Sequence, residues 1–436
     1  MLVNINTLLE IDDEVISYKD YYDIQVYSSI RDHLPILSFK LKDHTGVYWK
    51  ELNFSVGSKV RVFYVGTNGE EKQEIYPTTK FIIKDMYDGF ELNNNNTMSG
   101  FIQVNCVQAW SYYEDSTPHA YNCQKIGDLI KSICKNAKSG AELNVIDENF
   151  SSTSDSGSIR YKVGCSDYEF ITQMLLPFTM VDASNSLFYV DRMSKVHLSG
   201  FNTLYSASPK TVICPDLTEI PGGIEGLKSI KNKLNLESHA NYVSIEANIA
   251  QDPRSKDQLK QRIYIYDHQN ESTKIGIQTP GINSGADSDK VAKSFTPIKD
   301  SIMRSVDSTS SFYIANRTFE EQIAAARNTL SSTNNLLSIP VYIGTFYPNI
   351  NIGDTVYLWI PSTKSPTDEL NEDGTNKLTD KAKTHWLSGK WLISSEAIIT
   401  GDTNTVGIRY TLIRPTFDIS KESTSLADYR TFYKVK

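Results

Sequence analysis

Asn53-Phe54-Ser55-Val56-Gly57-Ser58-Lys59-Val60-Arg61-Val62-Phe63 and Asn349-Ile350-Asn351-Ile352-Gly353-Asp354-Thr355-Val356-Tyr357-Leu358-Trp359 carry one pattern twice. In both, Asn, apolar, polar, apolar and Gly precede Ser or Asp, then a spacer, Val, a spacer, an aliphatic residue and an aromatic one. Gly admits positive φ, and the Ser or Asp after it bonds nearby backbone amides, so Gly57-Ser58 and Gly353-Asp354 each read as a tight turn. The period-two alternation that follows reads as a half-buried strand. It sets Val60 and Val62 in the inward positions of Val356 and Leu358.

The parallel continues downstream. Lys80-Phe81-Ile82-Ile83 matches Lys390-Trp391-Leu392-Ile393, and a polar turn follows in each copy, Asn93 to Thr97 and Asp402 to Thr405. For the closing strand, Gly100-Phe101-Ile102-Gln103-Val104 is set against Gly407-Ile408-Arg409-Tyr410-Thr411-Leu412. A repeat constrains architecture before any motif does. The expectation is a β-rich α+β chain with two copies of one barrel-like β-domain, residues 1–112 and 236–415, and an α/β insertion, 113–235, between them.

The 436 residues exceed one ordinary core. Hydrophobic content of 39% and charged content of 22% describe a globular chain, and 25 Tyr with 17 Phe favour pleated surfaces. A net charge of −8 without like-charge blocks builds no basic patch for nucleic acid, so sequence-specific nucleic-acid binding is not expected. Met1 to Asp20 lacks a basic n-region, and no apolar run reaches the roughly 18 residues of a membrane-spanning helix, so neither a signal peptide nor membrane insertion is expected. Cys106, Cys123, Cys134, Cys165 and Cys214 are an odd number without a CxxC, which suits reduced thiols in a protein made in a cytoplasm.

Between the repeats the period changes. Ile126, Leu129, Ile130 and Ile133 predict an amphipathic helix, and Glu148 to Ser158 a polar loop. Ser166-Asp167-Tyr168-Glu169 reads as a capping box, Ser166 and Glu169 each satisfying an amide of the first turn; the helix it opens sets Phe170, Ile171, Met174 and Leu175 on one side. Leu187 to Asp191 and Val196 to Leu198 form a hairpin across a short Arg192-Met193-Ser194-Lys195 turn. Residues 250–310 look peripheral, with one short strand at Ile263 to Tyr266. A second capping box, Thr318 to Glu321, opens a helix over 317–332, and 416–436 is a tail. The loop from Pro361 to His385 is longer than its counterpart in the first copy.

No catalytic, cofactor or metal site emerges. The seven histidines form no HExxH, and His119, Cys123 and Cys134 lack a fourth ligand close by. Cys165 beside the capping box has no histidine partner in sequence and reads as a structural thiol. Asp12-Asp13 and Glu320-Glu321 could pose as the acid pair of a glycosidase, but a turn and a helix start explain them better. Tyr21-Tyr22 and Tyr112-Tyr113 could stack sugars, although paired aromatics at strand ends commonly serve cores or interfaces. No GxSxG, P-loop or GxGxxG stands at a strand-to-helix junction.

Three segments in order resemble the central baseplate hub of contractile phage tails, a family with the late-control tail proteins and the N-terminal part of type VI secretion spikes. Ser166 to Ile171 with Leu187 to Asp191 is similar to its S-D-aromatic-E-F-aliphatic helix and following hairpin. Arg317 to Ala326 is similar to its acidic-start, alanine-rich helix, and Asn349 to Val356 to its P-G-D-x-V turn, with Ile352 where proline is usual. The resemblance implies two tube-like β-barrels per chain and a homotrimer whose six barrels cap a sixfold tail tube and seat a threefold spike. It implies no enzyme and no cofactor. The implied partners are the tail tube protein and a central spike, needle or tip protein, with tape-measure and baseplate wedge proteins beyond them, in a virion tail assembled in the host cytoplasm. A secreted all-β carbohydrate-binding module and a peptidoglycan hydrolase are the rival readings.

Overall fold

The computed structural model describes residues 3–31, 34–42, 53–67, 73–92, 98–150, 155–179, 181–182, 186–213, 243–245, 261–267, 272–278, 296–298, 337–343, 346–358, 389–401 and 406–414. The first part supplies β1 (Val3–Ile11), β2 (Glu14–Ile16), β3 (Tyr21–Ser29), β4 (Ile36–Leu41), β5 (Lys59–Thr67), β6 (Gln73–Pro77), β7 (Phe81–Leu92) and β8 (Met98–Gln108). The middle holds β9 (His119–Lys125), helix α1 (Ile126–Lys135), β10 (Asp155–Lys162), β11 (Ser186–Val190), β12 (Val196–Gly200) and β13 (Val212–Ile213). The last part holds β14 (Val243–Ile245), β15 (Gln261–Asp267), β16 (Ser272–Gln278), β17 (Thr296–Ile298), β18 (Leu337–Ile343), β19 (Thr355–Leu358), β20 (Gly389–Thr400) and β21 (Val406–Arg414).

Among the described residues the chain is mostly β-sheet with few helices. Fourteen strands join one sheet whose main path runs β14-β18-β21-β20-β3-β4-β8-β7-β5-β1-β2, with β6, β13 and β19 attached beside it. Strands from both repeats therefore share a single hydrogen-bonded surface, and β3 of the first part pairs directly with β20 of the second. Among the described residues no pairing closes either half into a barrel.

The two halves nevertheless pair alike. The order β5-β7-β8-β4-β3 recurs as β19-β20-β21-β18-β14. Val60 faces Phe81, as Val356 faces Trp391, and Lys59 faces Ile82, as Thr355 faces Leu392. A register shift falls between Ile83 and Asp85 in one half and between Ile393 and Ser395 in the other. Ile83 then faces Cys106, and Ile393 faces Leu412; on the next strand Leu37 meets Cys106, and Ile339 meets Leu412. Val60, Val62, Val356 and Leu358 are all buried on the inner side.

The turns match as well. Gly57 and Gly353 have φ of 97° and 82°. The Gly57 amide donates to the Ile83 carbonyl at 2.9 Å, and the Gly353 amide to the Ile393 carbonyl at 2.9 Å. Ser58 Oγ accepts from the Ser55 amide at 3.2 Å, and Asp354 Oδ2 from the Asn351 amide at 2.9 Å, closing each turn with a side-chain oxygen as the repeated sequence requires.

The closing strand departs from the sequence alignment by one position. Phe90 faces Gly100 where Thr400 faces Val406, so the counterpart of Gly100 is Val406, not Gly407. A one-residue slip exchanges the faces of a strand. In the observed register Ile102, Val104 and Cys106 match Ile408, Tyr410 and Leu412, and all six are buried.

One apolar core runs through both halves and takes in Leu187, Tyr189 and Phe201 from the middle segment. A second core belongs to that segment, where Ile126, Ile130 and Ile133 of α1 meet Phe170, Leu175, Phe188 and Leu198. The capping box is present, since Ser166 Oγ accepts from the Glu169 amide at 3.1 Å and Glu169 Oε2 from the Ser166 amide at 3.1 Å. The helix then widens, Phe170–Leu175 winding as a π-helix. The wider turn brings Phe170 and Leu175 onto one face and turns Met174 outward, 45% exposed, against the sequence expectation. The polar loop ends earlier than read, because β10 begins at Asp155. In the peripheral region the strand at Ile263–Tyr266 is one of three, β15-β16-β17 forming their own sheet. Thr318, Glu321 and the helix over 317–332, the loop from Pro361 to His385 and the tail 416–436 lie outside the described residues.

Candidate functional site

The β11–β12 hairpin carries an unusual tip. Asp191 Oδ1 accepts from the amides of Met193 at 2.8 Å and Lys195 at 3.0 Å, and Ser194 takes a positive φ of 60°. This carboxylate-knit turn fixes the backbone while leaving the neighbouring side chain free to project. That side chain is Arg192, and it is 2% exposed. Its Nη1 donates to Glu396 Oε2 at 2.6 Å, and its Nη2 to the carbonyls of Tyr347 at 3.2 Å and Pro348 at 2.8 Å. The guanidinium lies 5.3 Å from the centre of the Phe346 ring. A planar fork with fixed donors suits this three-way recognition.

The same tip grips the first half. The Arg192 carbonyl accepts from the Thr79 amide, and Ser194 Oγ bonds Thr79 Oγ1. Through Thr79 on one side and Glu396, Tyr347 and Pro348 on the other, Arg192 and Ser194 thereby tie the middle segment to both parts of the chain that build the large sheet. Beside it, Tyr189 of β11 lies so close to Gly353 that a Cβ there would come within 2.1 Å of the Tyr189 hydroxyl oxygen. Gly57 meets a tyrosine too, with Tyr112 Oη 3.1 Å from the corresponding point.

Burial dominates the electrostatics. It pushes the Glu396 carboxyl up to about 7, although the Arg192 charge pulls the other way. Burial likewise raises the phenols of Tyr64 and Tyr410, both of which sense Glu396 and Arg192. Glu396 Oε1, Tyr64 Oη and Tyr410 Oη are buried without a protein hydrogen-bond partner. The cluster is enclosed and presents no nucleophile to a substrate; its chemistry is cohesion between parts of the chain.

His119 stands on β9 with its ring against Tyr121, and Cys134 is buried on α1. Among the described residues no three His, Cys, Asp or Glu side chains gather as metal ligands. Asp12 and Asp13 form the β1–β2 turn with φ of 47° and 69°. Sequence reading missed Arg192 and Glu396. Arg192 sits in a polar hairpin turn, which resembles an exposed loop, while the lone acid within Trp391 to Ile399 was a usable signal of a buried partner.

No family model matches the chain, and no curated protein matches it by sequence. Solved structures do match. A tail protein from Neisseria meningitidis MC58 superposes with a TM-score of 0.51 at 9% identity, over 94% of this chain and 97% of that one. A prophage tail protein from Shewanella oneidensis gives 0.49 at 10% identity, over 94% and 99%. An E. coli component of the type VI secretion system gives 0.41 at 7%, over 93% and 76%. The resemblance to tail proteins thus holds at the level of the fold.

Proposed function

We propose that the protein is a structural component of a tail, a homotrimeric hub that adapts a sixfold tube to a threefold spike or tip. The observation that carries this reading is the recurrence of one pairing register, bulge included, in the two halves of the sheet. Each half is then one copy of a tube-like unit, residues 1–112 and 236–415, with 113–235 inserted. Closed symmetry requires equivalent patches on partners that meet. A sixfold tube and a threefold spike lack them, but three chains with two related units each offer six similar edges to one and three unlike surfaces to the other. The tail-protein fold supports the same reading.

In this role the buried Arg192 cluster holds the inserted segment against both units, so that the chain acts as a rigid block. It does so without catalysis or cofactor. The partners are the tube protein on one side and the spike, needle or tip protein on the other. Light scattering of the purified chain, alone and with the tube or spike protein, tests the proposal. A mass of three chains supports it; a stable dimer in all mixtures overturns it.

A further inference from the structure

One rung on the inner face of the large sheet breaks the apolar pattern beside it. Val26, Ile398, Ile408 and Ile343 oppose one another across β3, β20, β21 and β18, and all are fully buried. The next inward rung of the same strands reads Ser28, Glu396, Tyr410 and Val341. The first half shows that the pairing does not require this polarity. Its matching rung carries Met86, Val104 and Phe39 in the places of Glu396, Tyr410 and Val341.

Arg192 answers only one oxygen of the polar rung, Glu396 Oε2. Glu396 Oε1, Ser28 Oγ and Tyr410 Oη are buried without a protein hydrogen-bond partner, and so is Tyr64 Oη of β5. Directly opposed residues of antiparallel strands have Cβ atoms about 4.5–5.5 Å apart, so Ser28, Glu396 and Tyr410 project side by side from one face. Tyr64 belongs to the same neighbourhood. Its ring lies 4.6 Å from that of Phe346, which the Arg192 guanidinium faces at 5.3 Å, and its phenol senses the charges of Arg192 and Glu396. Buried polar atoms left dry cost free energy, and native interiors satisfy them with protein groups or ordered water.

We infer that Ser28, Glu396, Tyr410 and Tyr64 line an internal site for ordered water, on the order of one or two molecules, bridging the two halves of the sheet. The donors and acceptors fit. Burial holds both phenols above their ordinary value, so each keeps a proton to donate. Glu396 Oε1 and Ser28 Oγ accept. Water donates twice and accepts twice, which matches two phenols and two acceptors. An anion is refused by the Glu396 carboxylate, and a metal cation by the Arg192 guanidinium already paired with it. Ser28 and Tyr64 come from the first part of the chain, Glu396 and Tyr410 from the last, so the water joins side chains that no direct bond joins. This inference stands apart from the trimer reading and from any partner.

A crystal structure of the full chain, resolving ordered water and grown with rubidium chloride, tests the site directly. The expected result is a peak about 2.7–3.2 Å from Glu396 Oε1 and from at least one of the three hydroxyls, without anomalous signal. An anomalous peak there makes the ligand a cation and overturns the assignment to water. An empty map at that point overturns the site itself. Urea midpoints of Tyr410→Phe, Ser28→Ala and the double variant put the same question in solution. Each substitution removes a partner of the water and should lower the midpoint, and the double variant should lose less than the two together, because both act through shared solvent. If the atoms are dry, deleting an unsatisfied hydroxyl leaves the midpoint of Tyr410→Phe equal to or above that of the parent, and this outcome overturns the inference whatever the map shows. Strictly additive losses overturn the shared molecule.

Discussion

Arg192 Nη1 and Glu396 Oε2, 204 positions apart in sequence, meet at 2.6 Å in the interior of the protein. One comes from a hairpin turn of the middle segment and the other from β20, the strand of the second half that pairs with β3. Removing two charges from water is costly, and their attraction offsets that cost only if the remaining donors are used. Arg192 uses them on the Tyr347 and Pro348 carbonyls. The pair therefore specifies how the segment docks more than it adds net stability.

Breaking the pair from one side leaves a buried charge. Arg192→Met should destabilise the fold by about 3–5 kcal/mol, while Arg192→Met/Glu396→Leu should recover much of the loss. Chemical denaturation of the four chains measures this as a double-mutant cycle. Equal losses in the single and double variants would remove the pair from its docking role.

Glu396 also sets a pH dependence. Its carboxyl is raised from 4.5 to about 7, chiefly by burial, so between those values the folded chain binds more protons than the unfolded one. The favourable contribution is complete below about 4.5 and is lost as pH rises through about 7. Glu396→Gln, which keeps the neutral shape, should flatten this part of the stability profile. Urea midpoints taken from pH 4.5 to 8 decide it; an unchanged slope in the variant rejects the assignment.

The two glycine turns should respond unequally. Both require positive φ, so Gly57→Ala and Gly353→Ala should each cost on the order of 1–3 kcal/mol. At Gly353 the new Cβ also displaces the Tyr189 hydroxyl, whereas at Gly57 it meets Tyr112 at 3.1 Å, a contact a small shift can relieve. Gly353→Ala should be the more damaging, and Tyr189→Phe should partly rescue it. Thermal unfolding of the three variants is the check, and a larger loss at Gly57 contradicts it.

The capping box makes a smaller claim. Ser166→Ala removes the acceptor of the Glu169 amide and should cost about 0.5–2 kcal/mol. Ser166→Asp should retain most of the stability, since a carboxylate also caps and favours a helix N-terminus. Calorimetry of both variants distinguishes a cap from a merely buried hydroxyl, for which Asp would be the worse of the two.

What the sequence by itself determined was local. Gly57 and Gly353 announce turns because only their backbone tolerates the angle, Ser166 and Glu169 announce a helix start, and the alternation around Val60 and Val356 names the buried face. Each follows from residues within a few positions of one another. The tertiary structure decided what depends on distant partners. It set the closing strands one rung from their apparent alignment, because the register answers to pairing across the sheet, not to the position of a glycine. It widened the helix after Ser166 into a π-turn so that Phe170 and Leu175 could share a core. It carried β3 across to β20, and it buried Arg192, whose turn sequence looks exposed, because a carboxylate 204 positions away stood ready to receive it.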